Sequence, residues 1–114
     1  MNKIDLSIVI PIYNEQENIK ILHKTLNKTV KTLNLAYEII FIDDGSSDKS
    51  FETMKEEAEK DDAIKIIKFA RNFGQTAALE AGFQNSHGTI IIPMDGDLQN
   101  DPADIPLLLQ KIDE

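Results

Sequence analysis

The chain has 114 residues, 41% hydrophobic and 28% charged, with no cysteine and a formal net charge of -8. That length holds one domain with a core of its own, and the composition is that of a folded globular chain. The acidic balance argues against a nucleic-acid partner, which needs clustered Lys and Arg, and the missing cysteine excludes thiolate zinc sites, disulfides and cysteine nucleophiles. It also fits a cytoplasmic location. The first residues carry no apolar signal stretch, and no segment approaches the roughly 20 apolar residues of a membrane span.

In chain order, Leu6 to Ile10 is a short apolar strand that stops at Pro11. Asn14-Glu15-Gln16-Glu17 then has the form of a capping box, with Asn14 as cap and Glu17 three residues later. Ile19, Leu22, Leu26, Val30 and Leu33 follow at spacings of three and four, the apolar face of a long helix. Tyr37 to Ile42 is the second strand. Gly45-Ser46-Ser47-Asp48 is a turn, in which Ser46 or Ser47 caps a helix with Phe51, Met54 and Ala58 inward and Asp48 is a first-turn acid. Ala63 to Phe69 is the third strand, and a third helix starts near Gly74 and runs through Ala78, Ala81 and Gly82. Thr89 to Met94 is the fourth strand. A last helix begins near Asp104 with Ile105, Leu108, Leu109 and Ile112 on one face, and reaches Glu114 without a stop signal. The alternation implies an α/β fold, a mostly parallel sheet with right-handed crossovers and helices on both faces.

Two strands end in acidic pairs. Asp95 and Asp97 flank Gly96, and residues i and i+2 of a strand point the same way. Both carboxylates should project from the strand's carboxyl end, where open α/β sheets bind ligands. Convergent carboxylates need a shared proton or a cation, and oxygen donors suit Mg²⁺ or Mn²⁺. Such an ion would also reconcile an acidic protein with an anionic substrate. Asp43-Asp44 ends the second strand and points to the same edge. Several chemistries are disfavoured. The first βα turn, Pro11 to Glu15, has no glycine, so neither a dinucleotide fingerprint nor a P-loop is present. A receiver domain wants its acidic pair after the first strand and its phospho-acceptor aspartate after the third, and a haloacid-dehalogenase-type phosphatase wants its Asp-x-Asp after the first, whereas the acids here follow the second and fourth; a Mg²⁺-dependent phosphotransfer domain ranks well behind. His23 and His87 are isolated in sequence and read as structural.

Four motifs together carry a family resemblance: Ile8-Val9-Ile10-Pro11-Ile12-Tyr13-Asn14-Glu15, Ile42-Asp43-Asp44-Gly45-Ser46, Arg71-Asn72-Phe73-Gly74-Gln75 and Met94-Asp95-Gly96-Asp97-Leu98-Gln99-Asn100-Asp101-Pro102. In that order they resemble family 2 glycosyltransferases of the GT-A fold, and within it the polyprenyl-phosphate glycosyltransferases that include dolichol-phosphate mannose synthases. The resemblance implies that residues 1–114 are a Rossmann-like nucleotide-sugar-binding half, truncated before the acceptor-binding part. It implies that Pro11, Tyr13, Glu15, Asp43, Asp44, Arg71 and Asp95 line a nucleotide pocket, and that Asp95, Asp97 and Gln99 hold Mg²⁺ or Mn²⁺. Glu15 is equally a first-turn acid favoured by the helix dipole, Tyr13 a half-buried core edge, Gln99 a solvated loop residue and Arg71 a surface arginine paired with an acid. Asn72 and Gly74 are read as shaping their loop. The implied reaction passes a sugar from a UDP- or GDP-sugar to an acceptor, a polyprenyl phosphate, with inversion. No residue is identified as a base. The longer enzyme would work at the cytoplasmic face of the membrane. The alternative is a non-catalytic nucleotide- or metal-binding fragment that self-associates through the exposed edge of the fourth strand, giving a homo-oligomer.

Overall fold

The computed structural model describes residues 3–96 and Ile105. Along them run β1 (Leu6–Ile12), α1 (Ile19–Lys31), β2 (Tyr37–Asp43), α2 (Ser50–Lys60), β3 (Ile64–Lys68), α3 (Gln75–Gln84) and β4 (Ile90–Pro93). The strands form one parallel sheet in the order β3-β2-β1-β4. The chain adds β2 and β3 on one side of β1, then returns to lay β4 on the other. The direction of winding therefore reverses between β1 and β4, the kind of switch point at which open α/β sheets hold ligands.

Period-two alternation divides the core. Leu6, Ile8, Ile10 and Ile12 of β1 join Leu22 and Leu26 of α1 and Met54 of α2 on one face. Val9 turns to the other face and meets Ile40, Ile42 and Ala78 of α3. Gly82 lets α3 lie close, because a Cβ there would overlap the side chains of Val9 and Ile42. Helices thus cover both faces, as the alternation predicts. Ile105 is 1% exposed and packs in the cluster beneath α1 and α2; the rest of the predicted last helix lies outside the described residues. No helix among the described residues is long and apolar enough to cross a membrane.

The first strand and the first two helix starts differ from the sequence reading. β1 continues through Pro11, which pairs with Ile42. The β1–β4 ladder ends at Val9 and Pro93, so the proline's missing N–H falls where that ladder stops. Asn14 does not cap α1. It sits in the left-handed region at φ 53, and α1 begins only at Ile19. Asn and Asp tolerate that conformation and bond nearby backbone instead. Here the Asn14 Oδ1 accepts from the amides of Ser47 at 2.8 Å and Asp48 at 3.3 Å. In return the Asn14 amide donates to Ser46 Oγ and the Glu15 amide to Ser50 Oγ. Neither Ser46 nor Ser47 caps α2; Asp48 Oδ1 accepts from the Ser50 amide at 2.8 Å. Burial pushes the Asp48 carboxyl up, but the bonds from Ser50 and Gln16 outweigh it and hold the group below its ordinary value. The β1–α1 and β2–α2 loops are therefore cross-tied into one unit.

Buried charge also shapes the fold. Glu38 on β2 is 3% exposed. Its Oε2 accepts from Ser7 Oγ at 2.6 Å and from the His87 amide at 2.7 Å, while Gly88 N–H donates to Ser7 Oγ at 2.8 Å. Burial alone would raise the Glu38 carboxyl; the bonds from Ser7 and His87 prevail and lower it. A depressed folded value means stability that is complete above the ordinary glutamate value and is lost as the pH falls through the folded one. Glu38→Gln is expected to be about 1–3 kcal/mol less stable than the parent near neutral pH, with the gap closing below about pH 4. Urea melts of both proteins across that range check this; a gap independent of pH would refute it.

Candidate functional site

The carboxyl ends of β1, β2 and β4 and the start of α3 enclose one cleft. β1 and its turn contribute Pro11, Ile12, Tyr13 and Glu15. Asp44 comes from the end of β2, Gln75 from the first residue of α3, and Asp95 and Gly96 from the turn after β4. Register brings these together. Asp43 lies opposite Ile12 at the last β1–β2 pair, and the Asp44 amide donates to Ile12 O at 2.8 Å. The Met94 amide donates to Val9 O, which sets Asp95 beside the end of β1.

Of the sequence-predicted residues, Pro11, Tyr13, Glu15, Asp44 and Asp95 share this cleft. Tyr13 is 49% exposed, so about half of the residue is open to a partner. Asp43 lies beneath, 1% exposed; its Oδ1 accepts from the Ser46 amide at 2.9 Å, and its buried Oδ2 has no hydrogen-bond partner among the described residues. Arg71 does not line the cleft, and its guanidinium stacks 4.1 Å above the Phe73 ring. Asp97 and Gln99 lie outside the described residues.

Asp44 does more than line a wall. Its carboxylate accepts from the Phe73 amide at 2.7 Å, the Gly74 amide at 3.1 Å and Asn72 Nδ2 at 3.0 Å. It thereby fastens the loop ahead of α3 and supplies a negative charge where the helix dipole favours one. That loop also presses on Gly45, whose φ of 70 is costly for most residues that carry a side chain. A Cβ on Gly45 would overlap the backbone of Arg71 and Asn72.

Gln75 is the cleft residue that the sequence reading left without a role. Its Nε2 donates to Asp95 Oδ1 at 3.4 Å. Its only sequence signal is its position directly after the Arg-Asn-Phe-Gly run. Among the described residues no group of three His, Cys, Asp or Glu side chains converges as a metal site. Asp95 offers hard oxygen donors in the cleft, which is chemistry suited to Mg²⁺ or Mn²⁺.

Comparison with known proteins agrees with this architecture. The family model for glycosyl transferase family 2 matches residues 7–114. The undecaprenyl-phosphate 4-deoxy-4-formamido-L-arabinose transferase of Salmonella choleraesuis (strain SC-B67) is 48% identical over 110 residues, covering 96% of this chain and 34% of that protein. The chain thus spans about a third of the length of the curated relatives it matches. Among solved structures, S. aureus TarS 1-349 in complex with UDP-GlcNAc superposes with a TM-score of 0.78 at 21% identity, over 96% of this chain and 31% of that one. The mannosyltransferase PcManGT from Pyrobaculum calidifontis, in complex with GDP-Man and Mn²⁺, gives 0.72 at 19%, over 91% and 30%. At those identities the structures speak for the fold, while the family match extends from β1 to the last residue: the chain belongs to glycosyl transferase family 2.

Proposed function

We propose that this chain is the donor-binding part of a glycosyltransferase that passes a sugar from a UDP- or GDP-sugar to a polyprenyl phosphate, with inversion at the anomeric carbon. The observation that carries this reading is the gathering of Pro11, Tyr13, Glu15, Asp44 and Asp95 in one cleft at the β1–β4 switch point. The exposed Tyr13 ring offers a face to a base or ribose, and Glu15 an acceptor for ribose hydroxyls. A carboxylate at the end of β2, Asp43 or Asp44, suits a ring N–H, which uracil and guanine both carry; Asp44 lines the cleft, while Asp43 lies buried beneath it. Arg71, the cation of the Arg-Asn-Phe-Gly motif, stacks on Phe73 outside the lining of the cleft and would turn from it to serve the nucleotide's phosphates.

Asp95, with Asp97 and Gln99, would hold Mg²⁺ or Mn²⁺. Such an ion supplies neutralisation of the charge that develops on the departing nucleoside diphosphate. A polyprenyl phosphate brings an oxygen that is already anionic, so positioning by the cleft can replace a general base. The name of the 48% identical relative supports the lipid phosphate, and the nucleotide sugars held by structures of this fold support the donor. A lipid acceptor also supports work at the cytoplasmic face of the membrane.

The one-third coverage favours a second reading, in which the piece binds nucleotide without turnover and self-associates along the outer edge of β4. Among the described residues that strand has β1 as its one strand neighbour. Calorimetric titration with UDP and with GDP, each with and without Mn²⁺, tests the proposal on the parent and on Asp95→Ala. One nucleotide is expected to bind with metal dependence, and Asp95→Ala to weaken that binding at least about tenfold, or about 1.4 kcal/mol. Release of sugar from the matching NDP-sugar supports the enzyme; binding without turnover supports the second reading. Failure to bind either nucleotide overturns both.

A further inference from the structure

We infer that Gln75 is a positioning residue of the donor site, acting through Asp95 to fix the orientation of the carboxylate that meets the cation. The inference rests on reading the cleft as a donor site.

Three observations carry it. The first is contact. The Gln75 carboxamide reaches Asp95 Oδ1 at 3.4 Å across 20 residues of chain. A carboxylate only accepts, so the amide nitrogen is the end that faces it. The second is location. Gln75 lines the cleft, and with Asp95 it also lines an adjoining groove formed with Leu79, Pro93 and Met94. The two residues are common to the linings of both spaces. The third is that the backbone of Gln75 is held from both sides. Asp44 fixes the amides of Phe73 and Gly74 just ahead of it. Behind it the Ala78 amide donates to Gly74 O, and Ala78 and Gly82 are sunk against the sheet. The result is a continuous connection from the end of β2 through Asp44 and the α3 start to the end of β4.

The chemistry of the side chain fits the task. A lysine at this position would neutralise Asp95 and compete with a cation. A carboxamide restricts the carboxylate's rotation and leaves its charge intact. Partners that orient a metal-binding group in this way typically change metal affinity by about 10–100-fold when removed. The bond here is long and exposed, which sets the expectation at the lower limit.

The test uses the parent chain, Gln75→Ala and Gln75→Glu, with Gln84→Ala at the other end of α3 as a control. UDP and GDP are titrated with and without Mn²⁺, Mn²⁺ is titrated alone, and a melting temperature is recorded for each protein. Gln75→Ala is expected to melt like the parent and, measured against its own metal-free affinity for nucleotide, to lose about tenfold of the enhancement that Mn²⁺ confers. Gln75→Glu sets a second carboxylate against Asp95 and is expected to bind Mn²⁺ alone more tightly than the parent. An unchanged enhancement in Gln75→Ala, with nucleotide still bound by the parent, overturns the inference and leaves the donor-site reading standing. Unchanged Mn²⁺ affinity in Gln75→Glu also counts against it. A parent chain that binds neither nucleotide overturns the donor-site reading and this inference with it.

Discussion

Replacing His23 with alanine is expected to cost the fold about 3 kcal/mol, near the lower end of what removing one partner of a buried ion pair costs. His23 lies on α1 and is 7% exposed. Its Nδ1 is 2.9 Å from Glu57 Oε1, and its Nε2 is 2.8 Å from Asp61 Oδ2. Carboxylate oxygens only accept, so both contacts are hydrogen bonds only when both ring nitrogens carry protons. The ring bridges two acidic side chains and ties α1 to α2 and the residue that follows it. Other charges nearby compensate poorly. Lys60 Nζ is 3.6 Å from Glu57 Oε2 and largely exposed, and that buried oxygen has no hydrogen-bond partner among the described residues. Lys20 pairs with Glu56 on the exposed rim. Tyr37, whose hydroxyl is pushed up by burial and then by the charge of Asp61, offers that carboxylate no relief. Without the imidazole, Glu57 is a buried carboxylate left with the exposed Lys60 ammonium alone. Domains of this size are stable by about 5–15 kcal/mol in all, so the loss is a large share. Urea denaturation of His23→Ala measures it. The triple change His23→Leu, Glu57→Leu, Asp61→Asn should recover much of the loss, since the penalty lies in the unpaired charges. A loss below about 1 kcal/mol in the single variant would mean that the clamp is solvated, with the energetics of a surface pair.

Gly45→Ala is expected to be comparably damaging for a different reason. A left-handed backbone costs an alanine about 1–2 kcal/mol, and the new Cβ would overlap the backbone of Arg71 and Asn72. Backbone does not swing aside as a flexible side chain does. The loop must move, and the amides of Phe73 and Gly74 then leave Asp44. Hydrogen bonds to a charged acceptor are each worth about 1.5–3 kcal/mol, so the total should exceed about 3 kcal/mol. Gly74→Ala separates the two causes. Gly74 has φ 105, yet nothing lies within 4 Å of its Cβ position. It should show the conformational cost alone. Chemical denaturation of both variants checks this, and equal losses would remove steric overlap as the explanation.

The fold is legible in the sequence because apolar runs stop at turn signals and α1 shows a clear apolar stripe. Alternation of strand and helix dictates a parallel sheet, but it does not fix which side of β1 receives β4, because either flank satisfies the same pattern. The errors in the helix starts have one cause. The residue types that cap a helix are those that tolerate a left-handed turn, so Asn14 fits both roles, and contacts more than 30 residues away decide between them. The buried ion cluster left a faint signal. His23 falls on the apolar stripe between Leu22 and Leu26, and Glu57 lies three residues after Met54 on the inward face of α2. A charged residue on an inward stripe needs a partner of opposite charge on another one. At the site, the acids at the strand ends could be read from spacing. The use of Asp44 as a fastening for the α3 start could not, because it depends on how the loop from Arg71 to Gly74 folds back over β2.

The outer edge of β4 carries a built-in rule about what can join it. The amides of Ile90 and Met94 donate to Asp5 and Val9, on the β1 side. Backbone direction alternates along a strand, so Ile91 and Pro93 turn away from β1. Proline has no N–H to give. A strand approaching from outside therefore meets a single donor within β4, that of Ile91, and then a ring. Its carbonyl must settle on Ile91, and its pairing must lapse before Pro93, just where the chain turns toward Asp95. The ladder that can form there is therefore short, and the edge discourages open-ended stacking of sheets.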